Sequence, residues 1–431
     1  MTTKITRINQ IAKEKPNEVF TSIYHLINKE LLEECFNEID GKKATGIDKI
    51  TKEEYLINKE ENLEILLNKL KNKSYRPSPA RKVNIPKSNG KVRGLAIANF
   101  EDKIVQLALK KLIEAIYEPK FTKNMFGFRP NRGCHDALKQ ITIDIEGHFT
   151  NYVVEADIKG YFDNINHNKL IECLKLHIKD QNVIKLVKKF LKAGILEKGK
   201  FQMGEYGTPQ GPILSPVLAN IYMYYLLVIW FENTIKKESK GFSSIINYAD
   251  DFICCFQNKN EAEKFYKELL PNRLKGGGLE LAEDKTRMIE FGRFAIINCK
   301  KGKPKTFDFL GFTHYCSTGK NGKFRVKRKT SSKKFRKKLS EFNVWCKENR
   351  NLKIDEIMRI FKKKLIGHYN YFGITDNYHM IQKYQWLMYK ILFKWLNRRS
   401  QRKSYTWGKF LEMTKEYNIP KAHICVSIYN K

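Results

Sequence analysis

The sequence predicts an α+β chain in which hairpins and helices mix up to residues 318–323 and helices alone follow. Three observations predict it. "RKVNIP" and "KVRGLAI" flank "KSNG", and its Asn-Gly is a strong hairpin signal. The apolar stretches "FSSII" and "ICCF" bracket a polar turn at 247–252, and the β-branched "YVVEAD" (152–157) supplies a further strand. Beyond residue 323, Lys, Arg and aromatic residues recur at helical spacing.

Taken in order, residues 1–35 read as helical, and "GKKATGID" (41–48) as a glycine-punctuated basic loop. An amphipathic helix over 60–75 ends at the proline-bearing "RPSP". The hairpin of 80–97 leads into a long helix over 101–121. The loop "NMFGFRPNRGC" then precedes the helix "HDALKQITIDIEG". After the strand at 152–157 come two helices over 167–194, the loop "MGEYGTPQGPILSP" (203–216) and an apolar helix over 217–231. The hairpin around Asp250–Asp251, a helix at 260–270 and "LELAEDKTRMIEFG" (279–292) complete this part.

Lys and Arg outnumber Asp and Glu by 81 to 46 in 431 residues, a net charge of +35. An excess of that size points to a polyanionic partner, with nucleic acid foremost. The longest apolar run, "VLANIYMYYLLVIWF", falls short of the ~20 residues that span a bilayer, so a core helix is expected and no membrane role. The N-terminus shows no apolar leader, so a cytoplasmic location, associated with the nucleoid in a bacterium, is expected. None of the nine cysteines forms a CxxC pair, so all are expected to be reduced and structural.

"NYADDF" (247–252) admits two readings. Asp-Asp is a good turn dipeptide, and it is also a pair of hard oxygen ligands. Asp157, 93 residues earlier, ends a strand in "ADIKGYFD". Carboxylates at two strand-to-turn junctions would sit at a sheet rim, where cations can enter. Nucleotidyl transfer needs such a set, because two divalent ions activate the attacking hydroxyl and stabilise the leaving oxygen.

"GKKATGID", "FGFRPNRGCHDAL", "DIKGYFD", "GTPQGPILSP", "YADD", "FDFLGFTHY" (307–315) and "GHYNYFGITDN" (367–377) occur in the order seen in reverse transcriptases. The sequence most resembles the reverse transcriptase/maturases encoded by group II introns of bacteria and organelles. The resemblance implies a right-hand polymerase: an N-terminal helical extension (1–35), fingers (36–150), and a palm (151–318) with a small fingers part within 180–215. An α-helical thumb or maturase domain (319–400) and a basic tail (401–431) follow. It implies RNA-directed DNA polymerase activity with two Mg²⁺ ions, for which Mn²⁺ substitutes. The partners it implies are dNTPs, RNA template and primer, intron RNA and a DNA target or cDNA.

By the same resemblance, Asp157, Asp250 and Asp251 match the catalytic metal ligands. Phe162 matches the steric gate against a 2′-hydroxyl. Lys87 and Arg93 match the residues that grip the triphosphate, Gln210 and Gly211 line the nucleotide pocket, and Lys285 lies near the triphosphate as a proton donor to pyrophosphate. Gly211 is expected to let the backbone approach the substrate. The sequence departs from the family pattern at Ala96, Ala98, Lys103 and Pro212. Two other readings stand beside this one: a reverse transcriptase freed from any intron, and an RNA-binding splicing cofactor whose polymerase is dispensable.

The run "KFRVKRKTSSKKFRKK" (323–338) holds ten basic residues. Lys327, Arg328, Lys329, Lys333, Lys334 and Arg336 are its candidate RNA contacts. Tyr369, Tyr371, Phe372 and Trp386 either stack on RNA or fill a helical core. "NRRSQRKSYTWGKFLEM" (397–413) reads as the end of the thumb or as a remnant of a DNA-binding segment. Without CxxC pairs, no cysteine-bearing endonuclease domain is expected.

Overall fold

The computed structural model describes residues 3–86, 92–197, 200–202, 204, 206–299, 302–319, 321–399 and 404–429. Its strands are β1 (Ala80–Pro86), β2 (Val92–Ile97), β3 (Tyr152–Asp157), β4 (Ile195–Glu197), β5 (Lys200–Gln202), β6 (Ser243–Tyr248), β7 (Asp251–Phe256), β8 (Arg287–Glu290), β9 (Phe307–Phe309), β10 (Phe312–Thr318) and β11 (Phe324–Thr330). They form three sheets, ordered β2-β1-β4-β5, β6-β7-β3-β8 and β11-β10-β9. With the surrounding helices this is the α+β architecture that the hairpin and helix signals predict.

The chain folds into two compact units. One comprises Met1–Gly133, Val154–Cys254 and Glu263–Arg287, the other Cys134–Val153, Cys255–Ala262 and Met288–Lys431. Residues 134–150, counted above with the fingers, and 151–153, counted with the palm, group with the C-terminal residues in this unit.

In the first unit the helix Thr3–Glu14 buries Ile5, Ile8 and Ala12 against the long helix Phe100–Tyr117, and Asn9 donates to the Ala115 carbonyl at 3.0 Å. The first residues therefore pack along this long helix. Asp180 fastens them: its buried carboxylate caps the helix Gln181–Lys192 and also accepts from the Ile23 and Tyr24 amides at 2.7 and 2.8 Å. The predicted hairpin forms, pairing Ile85 with Arg93 and Pro86 with Val92, while its turn lies outside the described residues. The apolar run becomes the helix Ser215–Met223, continued by two wider turns, with Ile221, Met223, Leu227 and Phe231 fully buried. Among the described residues no helix is long and apolar enough to cross a membrane.

In the second unit the basic run departs from expectation. Residues Phe324–Thr330 form β11, paired antiparallel to β10, and the helix begins only at Ser332. Alternation explains it: Val326, Arg328 and Thr330 point inward while Lys329 is exposed. The helices Ser332–Asn349, Ile354–Phe372 and Tyr378–Leu396 pack around Phe335, Phe361, Leu365, Met388 and Leu392. The C-terminal segment belongs to this bundle. Phe410 is fully buried, Val426 donates to the Gly373 carbonyl at 3.0 Å, and Ile428 is buried.

Candidate active site

β3 and β7 are neighbours in the second sheet. The Asn151 amide donates to the Phe256 carbonyl at 2.9 Å, so the start of β3 lies beside the end of β7. The pair is therefore antiparallel, and Asp157, the last residue of β3, lies at the end of the ladder where Asp251 opens β7. The hairpin turn differs by one residue from a simple Asp-Asp turn. It consists of Ala249 and Asp250, and Asp251 already belongs to the strand.

Two neighbouring side chains feel the charge of these carboxylates. Tyr161, four residues after Asp157, is buried and donates to the Ala219 carbonyl at 2.6 Å. Burial raises its pKa, and the charges of Tyr222 and Asp250 raise it further. Lys285 donates its ammonium to the Asp157 carboxylate. That hydrogen bond raises the lysine pKa, and the charges of Asp157, Asp284 and Asp251 add to the effect. One cation thus responds to carboxylates from both strands.

Among the described residues no three acidic, His or Cys side chains are gathered closely enough to hold a metal unaided. Like charges repel, and Lys285 fills the position beside Asp157. The donor set still fits a hard divalent cation. Hard carboxylate oxygens at a strand end match the way Mg²⁺ binds one or two carboxylates and completes its shell with substrate phosphates and water.

Of the expected nucleotide-pocket residues, Phe162 follows the end of β3 by five residues and meets the loop that carries Gln210 and Gly211. Phe162 is buried, with Phe128 edge-on at 6.1 Å. Its carbonyl accepts from the Thr208 amide at 2.7 Å, and Gly207 donates to the Ile165 carbonyl at 2.8 Å. Gly207 has φ +83°, and a side chain there would strike the Phe162 and Asp163 carbonyls. The "TPQG" loop is also docked on the β1–β2 hairpin, because the Ala96 amide donates to the Gln210 carbonyl at 2.7 Å. Gly211 permits a close approach, but to β2: a Cβ would lie 2.4 Å from the Ala96 carbonyl oxygen. Arg93 lies on β2, paired with Ile85, though its side chain is outside the described atoms. Lys87 lies outside the described residues.

The six candidate RNA contacts do not stay together. Lys329, Lys333, Lys334 and Arg336 are exposed and Lys327 is half-buried. Arg328 is a correction. It is fully buried, and its guanidinium donates to Thr142 Oγ1, to the Leu138 carbonyl at 3.0 Å and to the Val326 carbonyl at 3.1 Å. A cation so enclosed holds β11 to the helix Cys134–Glu146 and cannot reach a phosphate. The aromatic residues divide. Tyr369 and Phe372 are core, while Tyr371 and Trp386 are substantially exposed and Lys390 lies 3.7 Å over the Trp386 ring.

Sequence reasoning missed the residues behind the turn. Asn247 is buried in β6 and donates to the Ala249 carbonyl at 2.8 Å, and Asn220 donates to the Gly127 carbonyl at 2.8 Å. The available signal was a polar amide inside the apolar run that precedes "YADD".

Residues 85–314 match the reverse transcriptase (RNA-dependent DNA polymerase) family, and residues 332–412 match the group II intron maturase-specific domain. The group II intron-encoded protein LtrA of Lactococcus lactis subsp. cremoris is 29% identical over 96% of this chain and 81% of its own length. Protein YkfC of Escherichia coli is 31% identical over 58% of this chain and 73% of its own. A putative COX1/OXI3 intron 1 protein of Saccharomyces cerevisiae is 38% identical over 41% of this chain and 21% of its own.

Proposed function

Because this chain belongs to the reverse transcriptases and carries a group II intron maturase-specific domain, we propose that Asp157, Asp250 and Asp251 are where its polymerase holds divalent metal. The protein is an RNA-directed DNA polymerase with a maturase role in intron splicing, and its family uses divalent metal ions. The observation that carries the site assignment is the meeting of two strand ends, Asp157 on β3 and Asp251 on β7, with one ammonium responding to both.

Two Mg²⁺ ions, with Mn²⁺ as substitute, fit this reading; when bound they would activate the primer hydroxyl and stabilise the departing pyrophosphate. The remaining work falls to the chain's own groups. Lys285, raised in pKa and partly exposed, is placed to give a proton to pyrophosphate once it leaves Asp157. The Phe162 ring, backed by Phe128 and fixed by the Thr208 bond, stands where a 2′-hydroxyl would have to fit. Gln210 and Gly211 couple the pocket loop to the fingers hairpin that bears Lys87 and Arg93, the proposed triphosphate contacts.

The further partners in this reading are an RNA template and primer, the host intron RNA and a DNA target or cDNA, met in the cytoplasm. Exposed Lys329, Lys333, Lys334 and Arg336, with half-buried Lys327, are the proposed RNA contacts of the second unit. The reading is tested by Mn²⁺ binding, followed by electron paramagnetic resonance on the full chain with primed RNA and dNTP. Asp250→Ala should lose ions that the wild type retains. Equal Mn²⁺ occupancy in both would remove Asp250 from the metal site.

A further inference from the structure

We infer that Asn247, Gly127 and Asn220 are positioning residues for Asp250, gripping the Ala249–Asp250 turn from two sides and holding it in a left-handed backbone shape. The inference rests on reading Asp250 as a metal ligand.

Ala249 has φ +59°, a region that residues with a Cβ rarely enter. Ala249 needs an outside hold to stay there. Asn247 supplies one, since its buried side-chain amide donates to the Ala249 carbonyl across the turn. Asn247 is itself fixed. Its amide donates to the Asn124 carbonyl and its carbonyl accepts from the Phe126 amide, both at 2.9 Å. The segment 124–126 therefore runs beside the end of β6 as a short parallel bridge through Met125.

Gly127 supplies the second hold. A Cβ there would lie 2.3 Å from the Ala249 nitrogen and 2.9 Å from the Tyr248 carbonyl carbon. The backbone of "FGF" thus rests directly on the backbone of "YAD", with no side chain between them. Asn220, from the helix Ser215–Met223, fixes Gly127 in turn by donating to its carbonyl. Phe128 and Asn131, in the same loop, also have φ +56°.

The arrangement is not the one that folding stability alone would choose. Left-handed backbone at Ala249 opposes folding, and such backbone persists where a fixed geometry is needed. Asp250 follows Ala249 directly, so a change in φ at 249 swings its carboxylate. A misplacement of about 1 Å can lower turnover by about 10²-fold.

The test is a double-mutant cycle on the full chain, measured on primed RNA. Asn247→Ala should lower kcat by about 10-fold to 10²-fold with KM for dNTP nearly unchanged, and should raise deuterium uptake at amides 248–252. In an Ala249→Gly background the same substitution should have a markedly smaller effect, because glycine adopts positive φ without help. Gly127→Ala should also lower kcat while RNA affinity is retained, and it decides alone if Asn247→Ala does not fold. An undiminished effect of Asn247→Ala in the glycine background, or wild-type kcat in Gly127→Ala, would overturn the proposal. Asp250→Ala run in parallel separates the two failures. An active Asp250→Ala refutes the metal-site reading, whereas an inactive one beside a normal Gly127→Ala refutes the clamp alone.

Discussion

The ammonium of Lys285 donates to the carboxylate of Asp157, joining the segment before β8 to the end of β3. Such a pair on a partly exposed lysine contributes little to stability. In the proposed site its role is positional, holding a candidate proton donor beside Asp157. Lys285→Ala should lower the rate of nucleotide addition by about 10²-fold or more, with primed-RNA affinity unchanged. Single-turnover incorporation at saturating dNTP checks this, and a wild-type rate would remove Lys285 from the chemistry.

Phe162 and Phe128 meet edge-on, so the ring proposed as the gate has a second ring behind it. Phe162→Ala should relax discrimination against ribonucleotides by about 10–200-fold, the range for shape selection in an apolar pocket. Competing dNTP and rNTP incorporation on one template measures it. Phe128→Ala should relax discrimination less, since Phe162 stays fixed by its backbone bond to Thr208.

The basic run separates by burial. Arg328→Ala should lower folding stability by about 3 kcal/mol or more, because it strips Leu138, Val326 and Thr142 of a buried charged donor. Lys333→Ala, Lys334→Ala and Arg336→Ala should leave thermal stability near wild type and weaken RNA binding. The slope of log K against log salt should shrink by about one for each phosphate that is no longer neutralised. Thermal melts and a salt series of RNA titrations distinguish the two classes.

Asp102 supplies a pH prediction. Burial raises its carboxyl to about 6, while hydrogen bonds from Tyr75 and from the Ser78 amide act the other way. A carboxyl that is harder to ionise when folded contributes stability below its unfolded pKa, and that contribution is lost as pH rises through about 6. Wild type should therefore lose about 2–3 kcal/mol between pH 4 and pH 7 from this group. Asp102→Asn should flatten that part of the stability profile, read by denaturant melts across the window.

Much of this fold was legible because local signals agreed with the tertiary answer. The Asn-Gly hairpin, the "YVVEAD" strand and the apolar helix after "GTPQG" all formed where periodicity and turn chemistry put them. Arg328 escaped because a strand alternates faces. The same run that exposes Lys329 turns its neighbour into the core, and charge composition carries no record of that. The Asn247–Gly127–Asn220 grip escaped because it joins three segments distant in sequence through backbone carbonyls. Gly211 was legible as a close approach but not as to what, since only the fold brings β2 against it.

Asp157 and the Ala249–Asp250 turn are the proposed metal-holding end of the polymerase. dNTP incorporation on a primed RNA template with Mg²⁺, compared between wild type and Asp250→Ala at equal primed-RNA occupancy, tests it most directly. The variant should bind template and primer as the wild type does yet add nucleotides at least about 10³-fold more slowly, the loss expected when a charge-stabilising centre is removed. Comparable incorporation by both proteins would contradict it.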